Sequence, residues 1–173
     1  MTSIVSHLSP LYRPGMPLAG FCAAELFVAA SVRLWAIEEA RCTYEGPDWP
    51  DWRRGMSIAG LPEETSGAFD TMMRIIGVCA LDPLPVRPPP CPRLGAGEAL
   101  VLASLQLAQT EAQGDLRFLL ASALCPTGVR LVLGPIEAVA DALTGSGLKL
   151  GPRDVAGHSK VVTAHPRMGG FLH

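Results

Sequence analysis

Between Asp82 and Pro92 the chain carries six prolines, Pro83, Pro85, Pro88, Pro89, Pro90 and Pro92. Each lacks a backbone N–H and holds φ near −65°, so neither a helix interior nor a central strand can run through this stretch. Residues 82–92 are therefore expected as extended, polyproline-like backbone. The run divides the chain into two parts of similar length. A linker between two domains is one reading, but each part would then hold only about 80 residues and be poorly able to stabilise itself. A strap across one domain is preferred.

The text on either side of the strap is helical. From Pro17 the sequence becomes LAGFCAAELFVAASVRLWAIEEA, with no internal proline. Pro17 is expected in its first turn, and a helix apolar nearly all round belongs in the middle of a domain. A short helical turn is expected over Trp52–Ile58, ending at Gly60. Pro62, Glu63 and Glu64 open another helix, with acids placed to complement its dipole. There Phe69, Met72, Met73, Ile76 and Cys79 recur at 3–4 spacing.

Beyond the strap a helix is expected over Glu98–Glu111. Gly114 and Asp115 break it and cap the next, which Leu116, Leu119, Leu120 and Ala123 mark and Cys125-Pro126 stops. Thr127 is the candidate N-cap of a last helix, bent at Gly134-Pro135 and closed by Gly145 or Gly147. The expected fold is mainly α: a compact single-domain helical bundle or irregular helical array over residues 17–145. An irregular arm (1–16) precedes it, and an irregular tail (146–173), with a short strand at Val161–Thr163, follows. The expected core is Phe21, Leu26, Val28, Val32, Ile76, Leu105, Leu119, Leu120 and Ile136.

Composition excludes several functions. With 17% charged residues and a net charge of −2, there is no basic field for nucleic acid. Mean hydropathy is high at +0.29, yet no stretch of about 20 uncharged apolar residues exists to span a bilayer. Arginine outnumbers lysine 12 to 2, which reads as the codon bias of a GC-rich, bacterial genome. The cysteines Cys22, Cys42, Cys79, Cys91 and Cys125 are odd in number and widely spaced, as free thiols of a reducing compartment are. Met1–Tyr12 does not read as a secretory signal. Cytoplasm is the expected location.

Motifs for chemistry are few. No GxSxG nucleophile elbow occurs, and no GxxxxGK[ST] phosphate loop. Gly95-Ala96-Gly97, beside Arg93, precedes a helix whose N–H groups suit an anion, but a helix start explains the glycines equally well. His158, His165 and His173 are separated by six and seven residues, with His7 far away, whereas zinc ligands pair at two to four. Solvated tail histidines are the preferred reading. No metal or other cofactor is expected, and Cys22 reads as a packed apolar thiol.

Two features remain. Glu25 and Arg33 interrupt the most apolar helix, about 80° apart around it and roughly 12 Å along its axis, too far to meet. Either they line a narrow wet stripe with Ala29, or each is buried and needs another partner. The aromatics Tyr44, Trp49 and Trp52 fall within nine positions of each other, followed by Arg53 and Arg54. These are the residue types of interface hot spots, and Gly46, Pro47 and Pro50 forbid a regular element beneath them. Either the rings fold back over the core while Asp48 and Asp51 take up the arginines, or all five residues meet a partner.

The leading expectation is a small, non-catalytic interaction or regulatory protein that binds another protein through Tyr44, Trp49, Trp52, Arg53 and Arg54. Homo-oligomerisation stays open. The alternative is an enzyme or small-ligand carrier with a pocket beside Glu25. A weaker one is metal binding by the tail histidines.

Overall fold

The computed structural model describes residues 12–40 and 49–151. Cys42, Tyr44, Asp48, the strand at Val161–Thr163 and all four histidines lie outside the described residues. Among the described residues six α-helices follow a 3-10 turn at Leu18–Gly20: α1 (Ala23–Ala40), α2 (Trp52–Ile58), α3 (Glu63–Cys79), α4 (Ala96–Gln109), α5 (Gln113–Ala123) and α6 (Pro126–Gly145). Among the described residues extended pairing is confined to two isolated antiparallel bridges, Pro17 with Arg93 and Ala80 with Leu124. The protein is mainly α, as its periodicity requires.

The centre is α4, not α1. Every residue from Ala96 to Gln106 is buried, because AGEALVLASLQ is apolar or small on all sides except at Glu98 and Gln106, whose side chains are hydrogen-bonded. α1 buries one face only, through Ala24, Glu25, Val28, Ala29, Ser31, Val32 and Arg33. Leu26 falls past the edge of that face and is 42% exposed, while the other eight expected core residues are buried. α3 buries Phe69, Met72, Met73 and Ile76, and α6 buries Val132, Leu133, Ile136, Val139, Ala140 and Leu143. The most extensive helix–helix contact joins α3 to α6, one from each side of the strap.

The strap lies against the start of α4. A Cβ on Gly95 would sit 2.7 Å from the Pro85 carbonyl oxygen, and one on Gly97 would sit 3.0 Å from that of Leu84. The glycines admit the strap. The Gly97 N–H donates to the Pro85 carbonyl (3.2 Å) and the Gly95 N–H to Glu98 Oε2 (2.5 Å). These N–H groups are thus spent on the protein itself and do not form an anion cradle.

Several boundaries differ from expectation. α1 begins at Ala23, six residues after Pro17, because Pro17 pairs with Arg93. The Cys22 N–H then donates to Glu25 Oε2 (2.7 Å), which closes the helix start. The break between α4 and α5 falls at Thr110–Ala112, where Glu111 is left-handed (φ 57°), and Gly114 and Asp115 lie inside α5. Cys125, not Thr127, caps α6, with Pro126 at the first position, where a missing N–H is harmless. The helix continues through Pro135. Leu131, whose carbonyl the proline leaves without its donor, is on the exposed side.

The tail does not begin at Ser146. The Gln109 carboxamide donates to the Leu148 carbonyl (2.9 Å) and accepts from the Leu150 N–H (2.9 Å), and Leu150 is buried. Gln106 Nε2 donates to the Gly151 carbonyl (2.5 Å). Two amide side chains of α4 thus stand in for a neighbouring strand, and residues 148–151 belong to the domain.

Candidate functional site

α2 is short and begins at Asp51, whose carboxylate accepts from the Arg53 N–H (2.9 Å). The helix turns Trp52 into the core, where it is 1% exposed and its ring lies 5.3 Å from that of Phe69. The Trp52 Nε1–H donates to Glu38 Oε2 (2.5 Å). This corrects the expectation that Trp52 meets a partner. The ring seals the α1–α3 junction, because its one polar atom finds a carboxylate there.

Arg53 follows Trp52. Its guanidinium stacks 4.2 Å from the ring centroid and pairs with Glu38 at 2.8 Å and with Asp51 at 3.9 Å. One arginine is therefore consumed by acids, as the lid reading holds. The next is not: Arg54 is exposed and forms no ion pair among the described residues. One turn on, Ile58 is 78% exposed. Trp49 is half-buried, and its indole N–H is buried without a hydrogen-bond partner among the described residues. Sequence reading missed Glu38 and Ile58. Glu38 is 14 positions from Trp52 and gives no local signal; Ile58 is legible as the apolar residue one turn after Arg54.

Glu25 and Arg33 are both buried, at 2% and 3% exposure, so the wet stripe does not exist. The reason is that each charge has partners. Glu25 Oε1 accepts from the Tyr12 hydroxyl (2.8 Å), and Oε2 accepts from Cys22 as described. Arg33 Nε and Nη2 donate to the two oxygens of Glu98 (2.9 and 3.2 Å). Its remaining donors take the carbonyls of Pro89 (3.1 Å), Cys91 (2.7 Å) and Arg93 (2.8 Å).

Glu98 is fully buried and also accepts from the N–H groups of Arg87 (2.9 Å) and Gly95. All five guanidinium donors are spent. Glu25 and Arg33 thus serve two separate ties, one holding the segment at Tyr12 and the other holding the strap.

A second polar cluster joins α1 to α3 at the surface. Asp70 accepts from Trp35 Nε1 (2.8 Å) and Arg74 Nε (2.9 Å), and Arg74 reaches Glu39 at 2.6 Å. Burial pushes the Asp70 carboxyl up, but the hydrogen bonds from Trp35 and Arg74 outweigh it and hold it below the ordinary carboxylate value.

Among the described residues no group of three or more His, Cys, Asp or Glu side chains is placed to hold a metal ion. The cysteines described, Cys22, Cys79, Cys91 and Cys125, are free thiols. Two of them, Cys79 and Cys125, meet although 46 positions separate them. No described helix is long and apolar enough to cross a membrane. Comparison of the chain with protein-family models, with curated proteins and with solved structures gives no match.

Proposed function

We propose that the protein is a small, non-catalytic, cytoplasmic interaction or regulatory protein whose contact surface is the outer face of α2. The residues of that face are Arg54 and Ile58, with the half-buried Trp49 just before the helix, not Trp52 and Arg53. The observation that carries this reading is the contrast between neighbouring arginines: Arg53 is stacked and paired, while Arg54 stands exposed beside an exposed isoleucine. An exposed guanidinium with no ion pair among the described residues, next to apolar surface, suits a protein segment that offers a carboxylate beside an apolar side chain. The odd number and wide spacing of the five cysteines support a reducing compartment.

The alternative, a ligand pocket beside Glu25, draws on a carboxylate already bonded to Tyr12 and Cys22. The test is recovery of a partner from the source cell by cross-linking, followed by titration of the two purified proteins. Arg54→Glu and Ile58→Glu are each expected to weaken binding by more than tenfold, with folding unchanged. Arg130→Glu, on α6, is expected to leave it intact. Equal binding by all four proteins overturns the reading.

A further inference from the structure

α3 ends at Cys79 and α6 is capped by Cys125. The backbone brings these two residues opposite each other. The Cys125 N–H donates to the Cys79 carbonyl (2.9 Å), and the Leu81 N–H donates to the Ala123 carbonyl (2.9 Å), on either side of the Ala80–Leu124 bridge. Directly opposed residues of an antiparallel pair lie about 4.5–5.5 Å apart at Cα. That falls inside the roughly 4.4–6.8 Å a disulfide spans.

Gly128 completes the arrangement. A Cβ there would lie 2.4 Å from Cys79 Cβ and 3.1 Å from its Sγ, so only glycine lets the Cys79 side chain rest on the first turn of α6. Both cysteines are partly exposed.

The two thiols differ in character. The backbone N–H groups of Gly128 and Thr127 at the start of α6 interact with the Cys125 sulfur, and the Cys79 thiol and the positive charge of Arg130 add to them. Together they outweigh burial and pull the Cys125 thiol below its ordinary pKa. Burial and the neighbouring Cys125 push the Cys79 thiol up. A helix N-terminus acts on a thiol in this direction because it favours the anion. Cys125 is thus the more acidic thiol of the two.

We infer that Cys79 and Cys125 form a redox-active dithiol that reacts with low-molecular-weight disulfides, Cys125 attacking and Cys79 resolving. In the first step the Cys125 thiolate, its proton released to water, attacks one sulfur of the disulfide RSSR. The S–S bond breaks, a Cys125–SR mixed disulfide forms, and RS⁻ leaves with the electron pair and takes up a proton. In the second step Cys79 loses its proton and attacks Cys125 Sγ, expelling the second RS⁻, which that proton neutralises. Two thiols of the protein are oxidised and one disulfide is reduced to two RSH, with no further oxidant. The product links the end of α3 to the start of α6.

Cys125 is partly exposed, and Pro126 and Thr127, which follow it, are exposed, so a small disulfide meets open surface there.

The experiment exposes the full-length reduced chain to glutathione disulfide, quenches it with an alkylating agent and maps each cysteine by mass spectrometry. The expected result is a Cys79–Cys125 cross-link that forms before Cys22, Cys42 or Cys91 is modified. Cys79→Ser is expected to stop at a stable glutathione adduct on Cys125. Cys125→Ser is expected to react at Cys79 at least tenfold more slowly. Circular dichroism of the two variants checks that each is folded; should serine at either position prevent folding, alanine there serves the same purpose. Equal modification of all the cysteines overturns the inference, as does a cross-link between any other pair, or Cys79 reacting as fast as Cys125.

Discussion

Trp52 shows how much one polar contact decides at the scale of a residue. Its place beside two arginines and a loop with two prolines reads as an exposed anchor or a buried lid, and the arginines tip the reading toward the anchor. Glu38, on a different helix, resolves the choice by accepting the indole N–H. Trp52→Ala is expected to cost ~3–5 kcal/mol of stability, as for other large buried rings. Arg54→Glu is expected to cost little. Urea unfolding of the two variants measures the difference, and a stable Trp52→Ala protein would place the ring outside the core.

Asp70 gives a second test at the same scale. Its folded-state pKa lies below the unfolded value, so its contribution is present above about pH 3.9 and is lost as pH falls through the folded value. Asp70→Asn should therefore be less stable than the parent at neutral pH, the gap closing in acid. Unfolding curves taken across that range decide it; a gap that does not change with pH assigns the effect to packing.

The strap and the helices it touches depend on one another. Six prolines remove N–H groups but leave carbonyls, and a single guanidinium from α1 takes three of the carbonyls in this region while pairing with Glu98 of α4. Breaking a buried ion pair from one side costs ~3–5 kcal/mol, whereas replacing both partners by apolar residues is often neutral. Here the double replacement should not recover. In Arg33→Met/Glu98→Leu the carbonyls of Pro89, Cys91 and Arg93 and the N–H groups of Arg87 and Gly95 all lose their partner, at ~1–3 kcal/mol for each one left buried. Urea unfolding of both single variants and the double reads this directly, and a double variant within about 1 kcal/mol of the parent would refute the strap-tying role.

These elements also mark what a sequence makes legible. The 3–4 spacing located α3 and α6 because each buries one apolar stripe, and proline geometry located the strap because it acts through local sterics. Two helices apolar on most sides, α1 and α4, look alike as text, and only packing decides which is surrounded. The burial of Glu25 and Arg33 was hidden for a related reason. Arg33 finds Glu98 65 positions away, and Glu25 closes its own helix start through Cys22, in a pattern that lacks the usual serine or threonine.

At the scale of the whole molecule, the strap is a crossing within one core and not a linker. α3 from before it packs on α6 from after it, and Arg33 fastens it from α1. Among the described residues one hydrophobic cluster takes in buried side chains from Tyr12 to Leu150, on both sides of the strap. A chain built this way should unfold in one step, and its composition supplies the means of seeing it. All three tryptophans, Trp35, Trp49 and Trp52, lie before the strap, so fluorescence follows the first part alone. Far-ultraviolet circular dichroism follows helices on both sides. For one cooperative unit the two signals give the same midpoint and slope in urea. Two independently stable parts would separate them, with fluorescence leaving a share of the helical signal behind. Separate expression sharpens the result: residues 1–81 alone lack α6, the helix on which α3 packs most extensively, and should stay unfolded, regaining helix only when residues 82–173 are added.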